Sequence, residues 1–213
     1  MSFLAVSLSS LLANAAALFY IPSKPLLEDP VVCLQTTTAV LFIANLVVGL
    51  VRYEARQENS SLSAKAATVS LATGATIAGT VVIHTFAILF GAPLIEKFRN
   101  TFMFALYVSL LTVFPATCVL RADPDAWLRV FAEHRPTSRA EKSIYFPTIF
   151  TIFGAWLGAI VIPLDWDRPW QAWPISCVIS AFLGHSLGLV AGTIASYLHV
   201  DEDSKKAGKM RSE

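Results

Sequence analysis

The stretch Ile162-Pro163-Leu164-Asp165-Trp166-Asp167-Arg168-Pro169-Trp170-Gln171 is the least generic part of this chain, and it continues through Ala172 to Trp173-Pro174-Ile175. Three of the five tryptophans fall within residues 166–173, beside two carboxylates and one guanidinium. The planar fork of Arg168 suits a carboxylate, from Asp165 or Asp167, or a pair of phosphate oxygens. Tryptophan at a membrane edge anchors a helix at headgroup level. Pro169 and Pro174 restrict the backbone of the turn and suit the start of a helix. Three uses are open for Asp165, Trp166, Asp167, Arg168, Pro169 and Trp170. They clip two helices together, they form a docking surface for another protein, or they contact a phospholipid headgroup.

Elsewhere the chemistry is sparse. His84 and His185 are the clear ionisable groups inside long apolar runs, and neither belongs to an HExxH, HxxxH or Cys/His pattern. Interhelical hydrogen bonding is expected of them, and of Asn14, Gln35, Thr36, Thr37, Thr38 and Asn45. Cys33, Cys118 and Cys177 lie in apolar runs without a CxxC and read as small packing residues. No catalytic residue, metal site or cofactor is expected. Gly154 and Gly158 form a GxxxG, and Gly184, Gly188 and Gly192 extend one to GxxxGxxxG. Spacing by four places these glycines on one helix face, where another backbone can approach. Packing between these two segments is the expected use, with a helix of another protein or a lipid chain as the alternatives.

The elements that carry these residues follow from where charge is missing. Of 213 residues, 55% are hydrophobic and 15% charged, and the mean hydropathy is +0.60. Soluble domains carry roughly 25% charged residues. With 16 basic and 15 acidic residues the net charge is +1, which disfavours a nucleic-acid binder. Residues 1–23, 30–51, 66–95, 100–120, 143–164 and 169–200 contain no Asp, Glu, Lys or Arg. A bilayer-spanning helix needs about 20 mostly apolar residues, and each run is long enough. A charged side chain at mid-bilayer costs at least about 2.5 kcal/mol. The chain is therefore expected to be an all-α, polytopic membrane protein. Its bundle of six transmembrane helices should occupy about 3–21, 31–51, 66–90, 101–120, 146–163 and 174–198. No basic residue precedes the first run, so it reads as a span rather than a cleavable signal.

Twelve of the 16 basic residues fall on one side of this arrangement and four on the other. Cytoplasmic loops are enriched in Lys and Arg, so both termini are expected to be cytoplasmic. The Asn59-Ser60-Ser61 sequon then lies on the cytoplasmic side, and residues 164–173 on the opposite side. In the 121–145 linker, Asp123-Pro124 reads as a helix start. Trp127, Leu128 and Phe131 share a face, and Arg129 and Glu133 form an i,i+4 pair. This segment lies on the membrane surface or packs beneath the bundle. The polar tail, 199–213, is expected to lack fixed structure.

The run IPLDWDRPWQ followed by WPI, between the last two of six spans and ahead of a glycine-rich helix, resembles the PIG-F family. The resemblance implies a non-catalytic subunit of the endoplasmic reticulum membrane in glycosylphosphatidylinositol (GPI) anchor synthesis. It implies partners as well: the catalytic subunits of GPI ethanolamine phosphate transferase that modify the second and third mannoses. These enzymes use phosphatidylethanolamine as donor. The alternative is a lipid-handling protein or enzyme that itself binds a phosphatidylethanolamine headgroup at the lumenal face.

Overall fold

The computed structural model of the protein describes the backbone of residues 3–56 and 61–212 and the side chains of residues 4–50 and 61–198. The Asn59 sequon lies outside the described residues. Six long helices form the chain: α1 (Phe3–Phe19), α2 (Pro30–Arg56), α3 (Leu62–Leu89), α4 (Phe98–Leu120), α6 (Arg139–Ile160) and α7 (Ile175–Ser212). Between α4 and α6, the single turn α5 (Pro124–Trp127) runs on into a wider π-helical turn, Leu128–Ala132. There is no strand among the described residues.

Five of the long helices are long and apolar enough to cross a bilayer. The first, α1, is shorter, at 17 residues. At a rise of about 1.5 Å per residue it reaches about 25 Å, the lower end of what spans a hydrocarbon core. The protein is an all-α, multi-pass membrane bundle. The backbone of α7 stays helical through Ser212, where the sequence suggested a tail without fixed structure.

Helix starts are set by short polar side chains. Asp29 Oδ1 accepts from the backbone N–H groups of Val31 and Val32, with Pro30 at the first helical position of α2. Asp123 caps α5 in the same way, ahead of Pro124. Ser138 and Glu141 form a reciprocal capping box at the start of α6. That cap starts α6 at Arg139, so Pro147 falls inside the helix.

The central helix is α4, of which 72% of the span is buried, against 17% for α3. It touches α2, α3, α6 and α7, and its fully buried side chains include Tyr107, Leu110 and Phe114. Polar contacts fix its neighbours. Tyr107 Oη donates to Asn14 Oδ1 at 3.2 Å, and Ser109 Oγ donates to the Thr76 carbonyl at 2.8 Å. Asn45 Nδ2 donates to the Leu110 carbonyl at 2.8 Å, one residue from the carbonyl that Pro115 leaves without a helical donor.

The most extensive helix contact is between α6 and α7. All five glycines singled out by their spacing lie there. A Cβ added to Gly184 would sit 2.1 Å from the Phe150 carbonyl oxygen, and one on Gly154 would sit 2.3 Å from that of Ser180. At Gly158 the nearest atom would be the Ser176 oxygen at 2.6 Å, and at Gly188 the Pro147 Cα at 2.6 Å. Gly192 is looser, with the Lys142 oxygen at 3.2 Å. Backbone meets backbone along this seam, so these glycines face a helix of the same chain.

Gly184→Ala should lower the stability of the purified chain by roughly 1–3 kcal/mol, the usual cost of overpacking. Gly74→Ala in α3 meets nothing within 4 Å. It should be neutral or stabilise by up to about 1 kcal/mol, because glycine disfavours a helix interior. Thermal unfolding of both variants in detergent checks the contrast, and equal midpoints would contradict it.

Candidate functional site

The connection between α6 and α7 folds into a compact turn. Gln171 is its buried centre. The Gln171 Nε2 donates to the carbonyls of Val161 and Leu164, both at 2.8 Å, and its Oε1 accepts the Arg168 backbone N–H at 2.8 Å. One amide thus ties the end of α6 to a 3-10 turn, Pro169–Gln171. Trp173 fixes the turn to α4. Its Nε1 donates to Thr101 Oγ1 at 3.0 Å, and its ring meets Phe104 edge-on at 5.1 Å. Asp167 has φ +46°, a left-handed conformation that aspartate adopts more readily than most residues.

This arrangement divides the motif. Gln171, Trp173 and Pro174 turn inward, whereas Asp165, Trp166, Asp167, Arg168, Pro169 and Trp170 are all exposed. The Trp166 and Trp170 rings lie 5.9 Å apart and are 54% and 36% exposed. Arg168 makes no ion pair and no side-chain hydrogen bond among the described residues, in contrast to the pairing with Asp165 or Asp167 that the sequence suggested. The φ of Asp167 and the bond from the Arg168 N–H to Gln171 set the local backbone. The clip between helices is made by Gln171, so Arg168 keeps five unused donors.

The remaining polar residues are dispersed. His185 lies between α6 and α7, with Nδ1 3.1 Å from Thr151 Oγ1, while His84 in α3 packs edge-on against Phe98 and Phe102. The two histidines do not meet. Thr37 reaches across to the Ala17 carbonyl, Thr36 and Thr38 bond within α2, and Gln35 is exposed. No group of three His, Cys, Asp or Glu residues placed to hold a metal ion is present among the described residues.

At the opposite end, Arg129 pairs with Glu141 in a bidentate contact, both N–O distances 2.9 Å, and not with Glu133. Glu141 also accepts from the N–H groups of Thr137 and Ser138, so its carboxylate is already fixed where Arg129 arrives. Glu133 pairs with Arg135 instead. The bonds to Glu141 raise the Arg129 guanidinium above its ordinary pKa. Val130 is buried, and Phe131 stacks near Tyr145. The α5 segment therefore packs beneath the bundle, leaving Leu128 exposed. The Ser-x-x-Glu spacing at 138–141 was the available sequence signal for this cap.

The profile of the GPI biosynthesis protein family Pig-F matches residues 10–193. The chain belongs to this family. It is 40% identical over 166 residues to the mouse "GPI ethanolamine phosphate transferase, stabilizing subunit", covering 78% of this chain and 74% of that protein. The human protein of the same name is 48% identical over 114 residues, 54% of this chain and 52% of that protein. "Glycosylphosphatidylinositol anchor biosynthesis protein 11" of Yarrowia lipolytica is 39% identical over 125 residues, 59% of this chain and 54% of that protein. No solved structure matches the chain. The Pig-F match takes in the whole α6–α7 turn and all five seam glycines.

If Gln171 holds this turn, Gln171→Leu should weaken it by roughly 1–3 kcal/mol, from the loss of three mostly shielded hydrogen bonds. Hydrogen exchange over residues 162–171 should quicken while α6 and α7 keep their protection. Trp170→Ala, at an exposed position, should leave exchange unchanged. Equal exchange in the wild type and Gln171→Leu would remove the amide from its assigned role.

Proposed function

We propose that this chain is a non-catalytic membrane subunit that associates with and stabilises GPI ethanolamine phosphate transferase. The observation that carries the reading is its similarity, over most of its length, to relatives named as the stabilizing subunit of that enzyme. We further propose that it resides in the endoplasmic reticulum membrane with both termini cytoplasmic. Its catalytic partners are those acting on the second and third GPI mannoses. The basic bias between the two sides supports the orientation, under which the α6–α7 turn would face the lumen.

The exposed part of that turn is the contact we assign to the partner. Trp and Arg are the residue types that most often dominate binding energy. Here both stand on a backbone already held by Gln171, so little order is lost on docking. A second reading has a specific observation in its favour. The free guanidinium of Arg168 is equally able to take a phosphate of phosphatidylethanolamine.

Deletion of the chain should lower the level of the catalytic subunit or its ethanolamine phosphate addition. Unchanged enzyme and normal addition would overturn the subunit reading. Trp166→Ala and Arg168→Lys should leave this chain's abundance near wild type. Loss of a docking anchor of about 2 kcal/mol corresponds to roughly 30-fold weaker association, which quantitative co-purification measures. Retained co-purification with reduced addition would favour headgroup handling. For orientation, a glycosylation sequon built into residues 164–168 should be modified, and one in the C-terminal tail should not. The reverse pattern would invert the topology.

A further inference from the structure

A cavity of about 350 Å³ opens between α1, α2, α4, α6 and α7, within the membrane-spanning part of the bundle. Its volume falls at the lower end of the roughly 300–1,000 Å³ typical of ligand sites. The wall is mostly apolar, with Leu41, Leu111 and Leu189 among its residues, and polar groups from Ser9, Ser10, Asn45, Ser143 and His185.

Most of those polar groups offer lone pairs to the cavity. Ser9 Oγ donates to the Val6 carbonyl at 2.9 Å and Ser143 Oγ to the Ala140 carbonyl at 2.8 Å. Asn45 spends an N–H on the Leu110 carbonyl. Thr151 Oγ1 gives its proton to the Pro147 carbonyl at 2.5 Å, so its lone pair takes the Nδ1–H of His185. The Nε2 of His185 is then a bare acceptor. Among the described residues nothing donates to it or to Asn45 Oδ1. Two protons in this wall are not given to backbone, the Ser10 hydroxyl and the second N–H of Asn45. The cavity therefore asks for a ligand that brings a hydrogen-bond donor into an apolar space. Phosphate and carboxylate bring only acceptors at neutral pH, and charge at this depth is costly. Water is scarce in the surrounding hydrocarbon, whereas hydroxyl-bearing neutral lipids are soluble in it.

We propose that this cavity is a binding site for a neutral membrane lipid, whose hydrocarbon body fills it and whose hydroxyl donates to one of the acceptors in its wall, Asn45 Oδ1 or His185 Nε2. Diacylglycerols and sterols share that chemistry. The site belongs to this chain alone, so it stands apart from the subunit reading.

The test uses the purified full chain in phosphatidylcholine nanodiscs with a diazirine-bearing diacylglycerol or a diazirine-bearing sterol, and maps the crosslinked peptides. Crosslinks should concentrate on residues 9–13, 41–48 and 185–189. A probe whose hydroxyl is capped as a methyl ether should label these segments at least about five-fold less. Ala44→Phe, which fills the cavity from the α2 wall, should reduce labelling by a similar factor. Ile77→Phe, on the outward face of α3, should not. Should Ala44→Phe fail to fold, Asn45→Leu keeps the volume and removes an acceptor, and the preference for free hydroxyl over capped probe should shrink. Labelling by the diacylglycerol alone identifies a glycerolipid site, and labelling by the sterol alone a sterol site. Either one supports the proposal. It is overturned by equal labelling with capped and free probes, by crosslinks spread evenly over the α3 outer face, or by no labelling of the cavity wall.

Discussion

Inside a bilayer there is no water to complete a hydrogen bond, and most hydroxyl side chains among the described residues of the helices are arranged around that constraint. Thr38, Thr76, Thr80, Thr112 and Thr117 return their hydroxyl protons to the carbonyl one turn earlier in the same helix. Such a side chain is satisfied before it meets a neighbour and leaves only lone pairs for further use. A small set then links helices: Thr37 to Ala17, Ser109 to Thr76, Tyr107 to Asn14 and Thr193 to Ser7. The pattern explains how a chain with so many hydroxyls remains a membrane bundle. It also explains why its interior cavity presents acceptors.

The same environment removes the hydrophobic drive for helix association, because lipid tails are as apolar as leucine. Association has to come from close contact, and close contact requires that something be missing. At the α6–α7 seam the missing group is Cβ. Glycines from both helices alternate, Gly154 against Gly184 and Gly158 against the Ser176–Cys177 backbone, and the chains approach to where no side chain fits. Pro147 contributes from inside α6 by lying against Gly188. Across α4 the closeness is supplied instead by small and hydroxyl residues such as Ala105, Ser109 and Ala116. By contrast, α3 packs mainly on α4, with a minor contact to α2, and turns Ile77, Val81 and Phe86 outward.

The helical membrane class was legible in the sequence because charge exclusion over a bilayer's length is a one-dimensional signal. A glycine stripe is legible too, as a face, but spacing by four does not say whose backbone it meets. Only the three-dimensional pairing of Gly184 with Phe150 does. Arg129 shows the limit of local rules. Its i,i+4 neighbour Glu133 was the natural choice, yet Glu141 lies closer to hand because the N–H groups of Thr137 and Ser138 have already oriented its carboxylate. The α6–α7 turn was visible as a cluster of residue types. Which of them face inward depends on Gln171, whose side chain does not betray that use in sequence.

That division within the turn bears on how the motif does its work. If Asp165 to Trp170 served to hold α6 to α7, their side chains would be turned inward and paired, as those of Gln171 and Trp173 are. Instead two tryptophans and a guanidinium are held outward on a backbone whose shape is fixed from beneath, so the holding and the presenting are done by different residues. An exposed Trp pair has a cost in water, and an unpaired Arg has none of the benefit of an ion pair. Neither arrangement stabilises the isolated chain, and the proposed contact with a partner or a phosphate would account for both. At a membrane edge this surface meets either the headgroup layer, which suits the indoles alone, or a partner or phosphate that also engages Arg168. Arg168 stands between the two tryptophans in sequence, and a free guanidinium is not needed for simple anchoring by indoles, which favours a specific contact.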